Sequence, residues 1–258
     1  MSKPGVQILY LVLLLYAGIC AYLFFAQRSF LYFPTPERPL PQAERIDIES
    51  GDARLRVWAR PRAGAGAVIY FGGNGEDVAG NFYGLADAIP GRAIYLVNYR
   101  GYGGSTGTPS EAALFQDALA VYDWVRARHP GVAVMGSSLG TGVAVYLAVS
   151  REVDRLVLVT PFDSIANVAQ DKLRLFPISF LLSDRFDSAA RAHGVTAKTL
   201  VLIAGDDEMI PRARTDALVA KLPKDNAEVA VLDGATHNSI AAHPEYLKRV
   251  GAFLRLPR

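Results

Sequence analysis

The stretch Val132-Ala133-Val134-Met135-Gly136-Ser137-Ser138-Leu139-Gly140 constrains this chain more than any other. Its continuous apolar run reads as a short strand buried on both faces. The run enters Gly-x-Ser-x-Gly directly, and a helical pattern follows to Ser150. A strand that turns sharply into a helix leaves no room for bulk beside the turn, so small residues flank Ser138. The turn carries the Ser138 hydroxyl past the strand end, at the positive end of the next helix. The five-residue pattern alone recurs by chance in Gly/Ser-rich loops; the strand before it and the helix after it give it meaning. Ser137, one place off the pattern, reads as structural.

The rest of the chain keeps the same rhythm. Strands are predicted at Arg45–Glu49, Leu55–Arg60, Val68–Phe71, Ala93–Asn98, Val132–Gly136, Leu156–Thr160, Leu200–Ala204 and Glu228–Leu232. Helices are predicted at Pro109–Arg128, Ser138–Ser150, Arg212–Lys221 and Pro244–Leu254. The first of these has Thr108 as its expected cap, Pro109 at the first helical position and Glu111 closing a capping box. Strands alternating with helices argue for an α/β domain over residues 44–258, its mostly parallel eight-stranded sheet covered on both faces. One stretch breaks the rhythm. Residues 166–198 exceed what a crossover needs and contain the apolar run Leu173–Leu182, which reads as a short lid or as a crossover helix packed on the sheet.

The N-terminus has a different character. No charged residue occurs from Pro4 to Gln27, and Val6–Ala26 would span about 31 Å as a helix, against a hydrocarbon core of about 30 Å. A signal peptide has a shorter apolar region, about 7–15 residues, and no small-x-small cleavage site follows. Residues 1–29 therefore read as a retained single-pass membrane anchor, with the membrane met through residues 6–26. Positive-inside counting does not orient it, because Lys3 and the amino terminus face Arg28, Arg38 and Arg45 across the span. Pro34, Pro36, Pro39 and Pro41 suggest that residues 30–43 form a stiff spacer holding the domain off the bilayer.

A serine hydroxyl attacks only when a base takes its proton, so a histidine and an acid are required. Of the four histidines, His237 sits in a turn just past a strand, and it is the expected base. His129, His193 and His243 lie at a helix end, in the irregular stretch and at a helix start. The acid belongs after the strand ending at Ala204, in Gly205-Asp206-Asp207-Glu208-Met209-Ile210-Pro211. Asp207 is preferred, with Asp206 and Asp163 as alternatives. Oxyanion donors are expected from the N–H of Leu139 and from the N–H of Asn74, in the Gly72-Gly73-Asn74-Gly75 loop.

These residues resemble the α/β-hydrolase superfamily, and within it small membrane-anchored serine hydrolases of the serine aminopeptidase (S33-like) and abhydrolase-domain kind. The resemblance runs from about Phe30 to Phe253. It is carried by Gly72–Gly75, by Asn98-Tyr99-Arg100-Gly101-Tyr102-Gly103, by Gly136–Gly140 and by the pair Asp207/His237. Gly72 replaces a common histidine, and Asn98 a common aspartate, so the salt bridge the family makes at that aspartate is not expected here. The resemblance implies the α/β-hydrolase fold and a serine esterase acting on an acyl ester or thioester, with no cofactor and no metal. The apolar lid run and the anchor point to a small-molecule or lipid-like acyl substrate. An aminopeptidase or amidase needs acids to hold an amine, and the lid offers only Asp171, Asp184 and Asp187. A non-catalytic binding protein on the same fold is the reading from another class. A net charge of +2 gives no pull toward nucleic acid, and Cys20 as the only cysteine excludes an intrachain disulfide.

Overall fold

The computed structural model describes residues 3–255. The amino terminus, the Lys3 side chain and residues 256–258 of the expected domain lie outside them. Helix α1 (Lys3–Leu31) opens the chain. Its Pro4–Leu31 stretch is long and apolar enough to cross a membrane by length and composition, and no residue of its most apolar part is buried.

Eight strands follow, all within two residues of where the apolar runs predicted them: β1 (Glu44–Ser50), β2 (Ala53–Arg60), β3 (Ala67–Phe71), β4 (Ala93–Val97), β5 (Val132–Ser137), β6 (Arg155–Val159), β7 (Lys198–Ala204) and β8 (Ala227–Leu232). They form one sheet in the order β1-β2-β4-β3-β5-β6-β7-β8. β1 and β2 pair antiparallel at one edge, and every pairing from β4 to β8 is parallel. This is the α/β-hydrolase fold.

The continuous apolar runs have a geometric reason. Along β3, Ala67, Ile69 and Phe71 enter one core, while Val68 and Tyr70 enter the other. Along β5, Val132 and Val134 face one way, Ala133 and Met135 the other. Both faces are covered, so neither parity can be polar. α3 (Glu111–Arg126) and α4 (Leu139–Ser150) bury Leu114, Val121, Val143 and Leu147 on the first face. α2 (Phe82–Ala88) and α9 (Pro244–Arg255) bury Phe82, Leu85, Tyr246 and Val250 on the second. Each such side chain contributes about 1.5–3 kcal/mol on burial. α8 (Arg212–Val219) follows β7 and buries Thr215 and Leu218.

The structure differs from the sequence reading in four places. α2 carries no capping signal and only two turns, and its pattern was too short to read. α3 starts at Glu111, capped by Ser110, whose Oγ accepts the Ala113 N–H at 3.3 Å. Thr108 is not the cap, because Pro109 packs beneath the Gly101 turn instead of entering the helix. Nor does Glu111 close a capping box: its carboxylate accepts the Arg185 N–H at 2.7 Å. Finally, residues 30–43 do not stand clear of the domain. Tyr32 and Leu40 are buried, the Gly103 N–H donates to Thr35 O at 2.9 Å, and Glu37 pairs with Arg56.

The irregular stretch folds as three short helices, α5 (Ile165–Lys172), α6 (Ile178–Leu181) and α7 (Ser188–Arg191). α7 lies against α4 and buries Ser188, whereas the 173–182 run leaves Leu175 and Phe180 exposed.

Candidate active site

β3 lies between β4 and β5, so the connections leaving β3 and β5 diverge and open a crevice at the carboxyl ends of the parallel strands. The loops past β3, β5, β7 and β8 all end there, and they bring together four widely separated pieces of sequence.

Ser138 sits between β5 and α4 with φ 47° and ψ −115°, a conformation that non-glycine residues avoid. Its N–H donates to Val159 O at 2.9 Å, and Thr141 Oγ1 donates to Ser138 O at 2.6 Å. The flanking glycines answer to close approach. A Cβ on Gly140 would lie 2.1 Å from Phe71 O, and one on Gly136 would lie 2.3 Å from Gly140 O.

His237 Nε2 lies 2.9 Å from Ser138 Oγ. Its Nδ1 lies 3.0 and 2.9 Å from the two carboxylate oxygens of Asp207. A carboxylate facing Nδ1 holds the proton there, which leaves the Nε2 lone pair to accept from Ser138. Asp207 Oδ1 also accepts the N–H groups of Met209 and Ile210 at 2.9 and 2.8 Å. Burial pushes the Asp207 carboxyl up, but His237 and these two N–H donors outweigh burial and hold it below its ordinary value.

The other candidates are elsewhere. Asp163 is buried on the Ser164 N–H, the Asn167 amide and Arg214, and Asp206 is exposed. His129 bridges Tyr95 Oη and Ala65 O, and His243 Nδ1 accepts the Glu245 N–H.

Asn74 and Leu139 border the same cavity as Ser138 and His237. The N–H of Leu139 is the first of α4, a position without an intrahelical acceptor. The β3 loop lies against the serine, since a Cβ on Gly73 would stand 3.5 Å from Ser138 Cβ. What braces this loop went unread in the sequence. Glu76 Oε2 accepts the Gly73 N–H at 2.5 Å, and its Oε1 accepts Tyr70 Oη at 2.6 Å. Asn74 Oδ1 accepts the Phe33 N–H and Tyr102 Oη, each at 2.9 Å. A side chain at position 72 would meet Val78 Cγ1 at 2.7 Å, which accounts for glycine there. Asn98 uses its amide on Arg56 O, and the loop's ion pairs are those of Arg100 with Asp117 and Asp52.

The cavity holds about 550 Å³. Ile178 and Leu181 of α6 close one side, and Leu23, Gln27, Phe30 and Leu31 of α1 close another. The α1 contribution was also missed, because an unbroken apolar run does not reveal which of its faces meets protein. Among the described residues no group of three or more His, Cys, Asp or Glu side chains is arranged to hold a metal ion.

Comparison with known proteins agrees with this architecture. The sequence profile of the alpha/beta hydrolase fold matches residues 66–194. An uncharacterized protein of Mycobacterium tuberculosis is 34% identical over 248 residues, covering 88% of this chain and 86% of that protein. Lysophosphatidylserine lipase ABHD12 of Macaca fascicularis is 33% identical over 168 residues, 56% of this chain and 42% of the lipase. The Pyrococcus furiosus esterase Pf2001 superposes with a TM-score of 0.71 at 19% identity, covering 87% of this chain and 98% of the esterase. With half of its length inside the family profile and a relative matching it almost end to end, the chain belongs to the alpha/beta hydrolase family.

Proposed function

We propose that the protein is a membrane-anchored serine hydrolase that cleaves an acyl ester or thioester through an acyl-enzyme. The observation that carries this reading is the hydrogen-bonded chain from Ser138 through His237 to Asp207, opening into an apolar cavity. Ser138 Oγ attacks the acyl carbonyl while His237 Nε2 takes its proton. The N–H groups of Leu139 and Asn74 hold the oxyanion. The carbon–oxygen or carbon–sulfur bond to the leaving group then breaks, and the proton on His237 passes to the departing alcohol or thiol. Water next gives a proton to His237 and attacks the acyl carbon; the bond from that carbon to Ser138 Oγ then breaks, His237 returns the proton to Oγ, and the acid leaves. Asp207 keeps the imidazole in the working tautomer and stabilises the imidazolium.

An apolar cavity suits the acyl part of a lipid-like ester, and a relative bearing the name of a lysophosphatidylserine lipase supports that class. The lid acids do not favour an aminopeptidase. Asp171 pairs with Arg214, Asp184 with Arg28 and Tyr32, and Asp187 caps α7. α1 serves as the single-pass anchor.

The test is labelling of the full chain by a fluorophosphonate probe, beside Ser138→Ala and His237→Ala, followed by hydrolysis of a C2–C16 ester series. Labelling of the wild type alone is expected, with kcat for Ser138→Ala lower by about 10³–10⁶. A folded wild type that neither labels nor turns over would favour the binding-protein reading.

A further inference from the structure

Leu23, Gln27, Phe30 and Leu31 fall at helical spacing on one face of α1, and Tyr16 lies on the same stripe two turns earlier. The lid runs alongside this stripe. Tyr16 Oη donates to Leu175 O at 2.9 Å, and its ring stacks on Phe176 at 5.5 Å. Further along, Gln27 donates to Leu181 O at 3.1 Å and accepts the Ser183 N–H at 2.6 Å. Arg28 and Tyr32 close the end on the buried Asp184 carboxylate, at 3.1 and 3.0 Å. Residues 175–184 therefore follow α1 from Tyr16 to Arg28, about 18 Å along its axis. The cavity lies inside this seam.

The outer side of the seam is apolar and uncovered. Leu175 is 84% exposed and Phe180 87%, and Phe25 of α1 is 83% exposed. A span that fills the hydrocarbon from Pro4 reaches its far boundary near Leu23, and the seven residues back to Tyr16 measure about 10 Å. That is the depth to which interfacial elements sink their apolar faces. Arg174, next to Leu175, has a stem long enough to return its charge to the headgroups.

We propose that the second half of α1 is a wall of the acyl-binding cavity and that the lid dips into the bilayer beside it, so that the acyl chain of a membrane-resident ester enters through the seam from the lipid leaflet. The proposal rests on the reading of Ser138 as the acyl-transfer nucleophile and of α1 as a retained span. A chain that moves from leaflet to cavity never exposes its methylenes to water.

The test uses the full chain in nanodiscs with p-nitrophenyl butyrate and p-nitrophenyl myristate. In Leu23→Trp, which fills the cavity from the α1 side, the myristate-to-butyrate ratio of kcat/KM is expected to fall at least tenfold. In Leu23→Ala, which enlarges it, the ratio is expected to rise. Ratios within twofold of wild type in both variants would overturn the α1 wall. A second arm places Trp at the seam, Phe180→Trp, in nanodiscs of brominated-acyl lipid. Quenching of the added fluorescence is expected, and its absence would overturn entry from the leaflet. A wild type that hydrolyses neither ester and takes no fluorophosphonate would instead fail the hydrolase reading itself, along with what rests on it.

Discussion

The backbone at Ser138 is held where an L-residue costs about 1–3 kcal/mol, and the Val159 and Thr141 contacts hold it there. This conformation places Oγ 2.9 Å from His237 Nε2 and leaves the Leu139 N–H at the first position of α4, without an intrahelical acceptor. The Gly136 and Gly140 positions were legible as a motif, but their reason is the nearness of Phe71 O and of the helix backbone, which only the packed strands reveal. Asp207 is where electrostatics can be tested. Asp207→Asn should lower kcat by about 10⁴-fold, because an amide no longer selects the working tautomer of His237. The folded carboxyl lies below its ordinary value of 3.8, so its stabilisation is complete above that pH and is lost as the pH falls through the folded value. The stability gap between wild type and Asp207→Asn in thermal melts should accordingly be widest near neutral pH and close in acid. A gap that widened toward low pH would contradict the assigned network.

At the level of elements, polar side chains fix where helices begin and how loops are held. Ser110, not Thr108, caps α3, and Glu111 ties that helix to the lid base at Arg185. Neither choice was legible, since Thr108, Pro109, Ser110 and Glu111 offer two acceptable caps in four residues. In the structure Pro109 lies close to the Gly101 turn, and Ser110 takes the cap. The loop past β4 is pinned to α3 by Arg100, whose guanidinium meets both oxygens of Asp117 at 2.8 and 2.7 Å. Both side chains are almost fully buried, so Asp117→Ala should cost about 3–5 kcal/mol in chemical denaturation by leaving the buried guanidinium to the exposed Asp52 carboxylate. The double variant Arg100→Met/Asp117→Leu should recover most of that loss. The eight strands were legible because burial on both faces demands unbroken apolar runs. α2 was not, because two turns give too few repeats of the helical period.

For the whole molecule, order in the sheet decides where the site is. Ser138, Asp207 and His237 lie past β5, β7 and β8, and Asn74 past β3, so parallel strands deliver all four to one edge. The reading of α1 as a span belongs to this scale as well. Membranes carrying the full chain, washed with alkaline carbonate, should retain it in the pellet, and a chain lacking residues 4–26 should be released. Release of the full chain would exclude the span. The apolar N-terminal run, the strand–Gly-x-Ser-x-Gly–helix turn and the later order of acid and histidine were written locally, because hydrophobic period, turn sterics and nucleophile chemistry act over a few residues. Tertiary structure alone decided that Asp207 and not Asp163 lies against His237, that Glu76 and Tyr102 brace the loop past β3, that the proline-rich segment lies on the domain, and that α1 meets the 175–184 segment along one stripe. Each of these depends on which surfaces are brought within a few ångströms by chain crossings of dozens of residues, a distance over which neither periodicity nor spacing carries information.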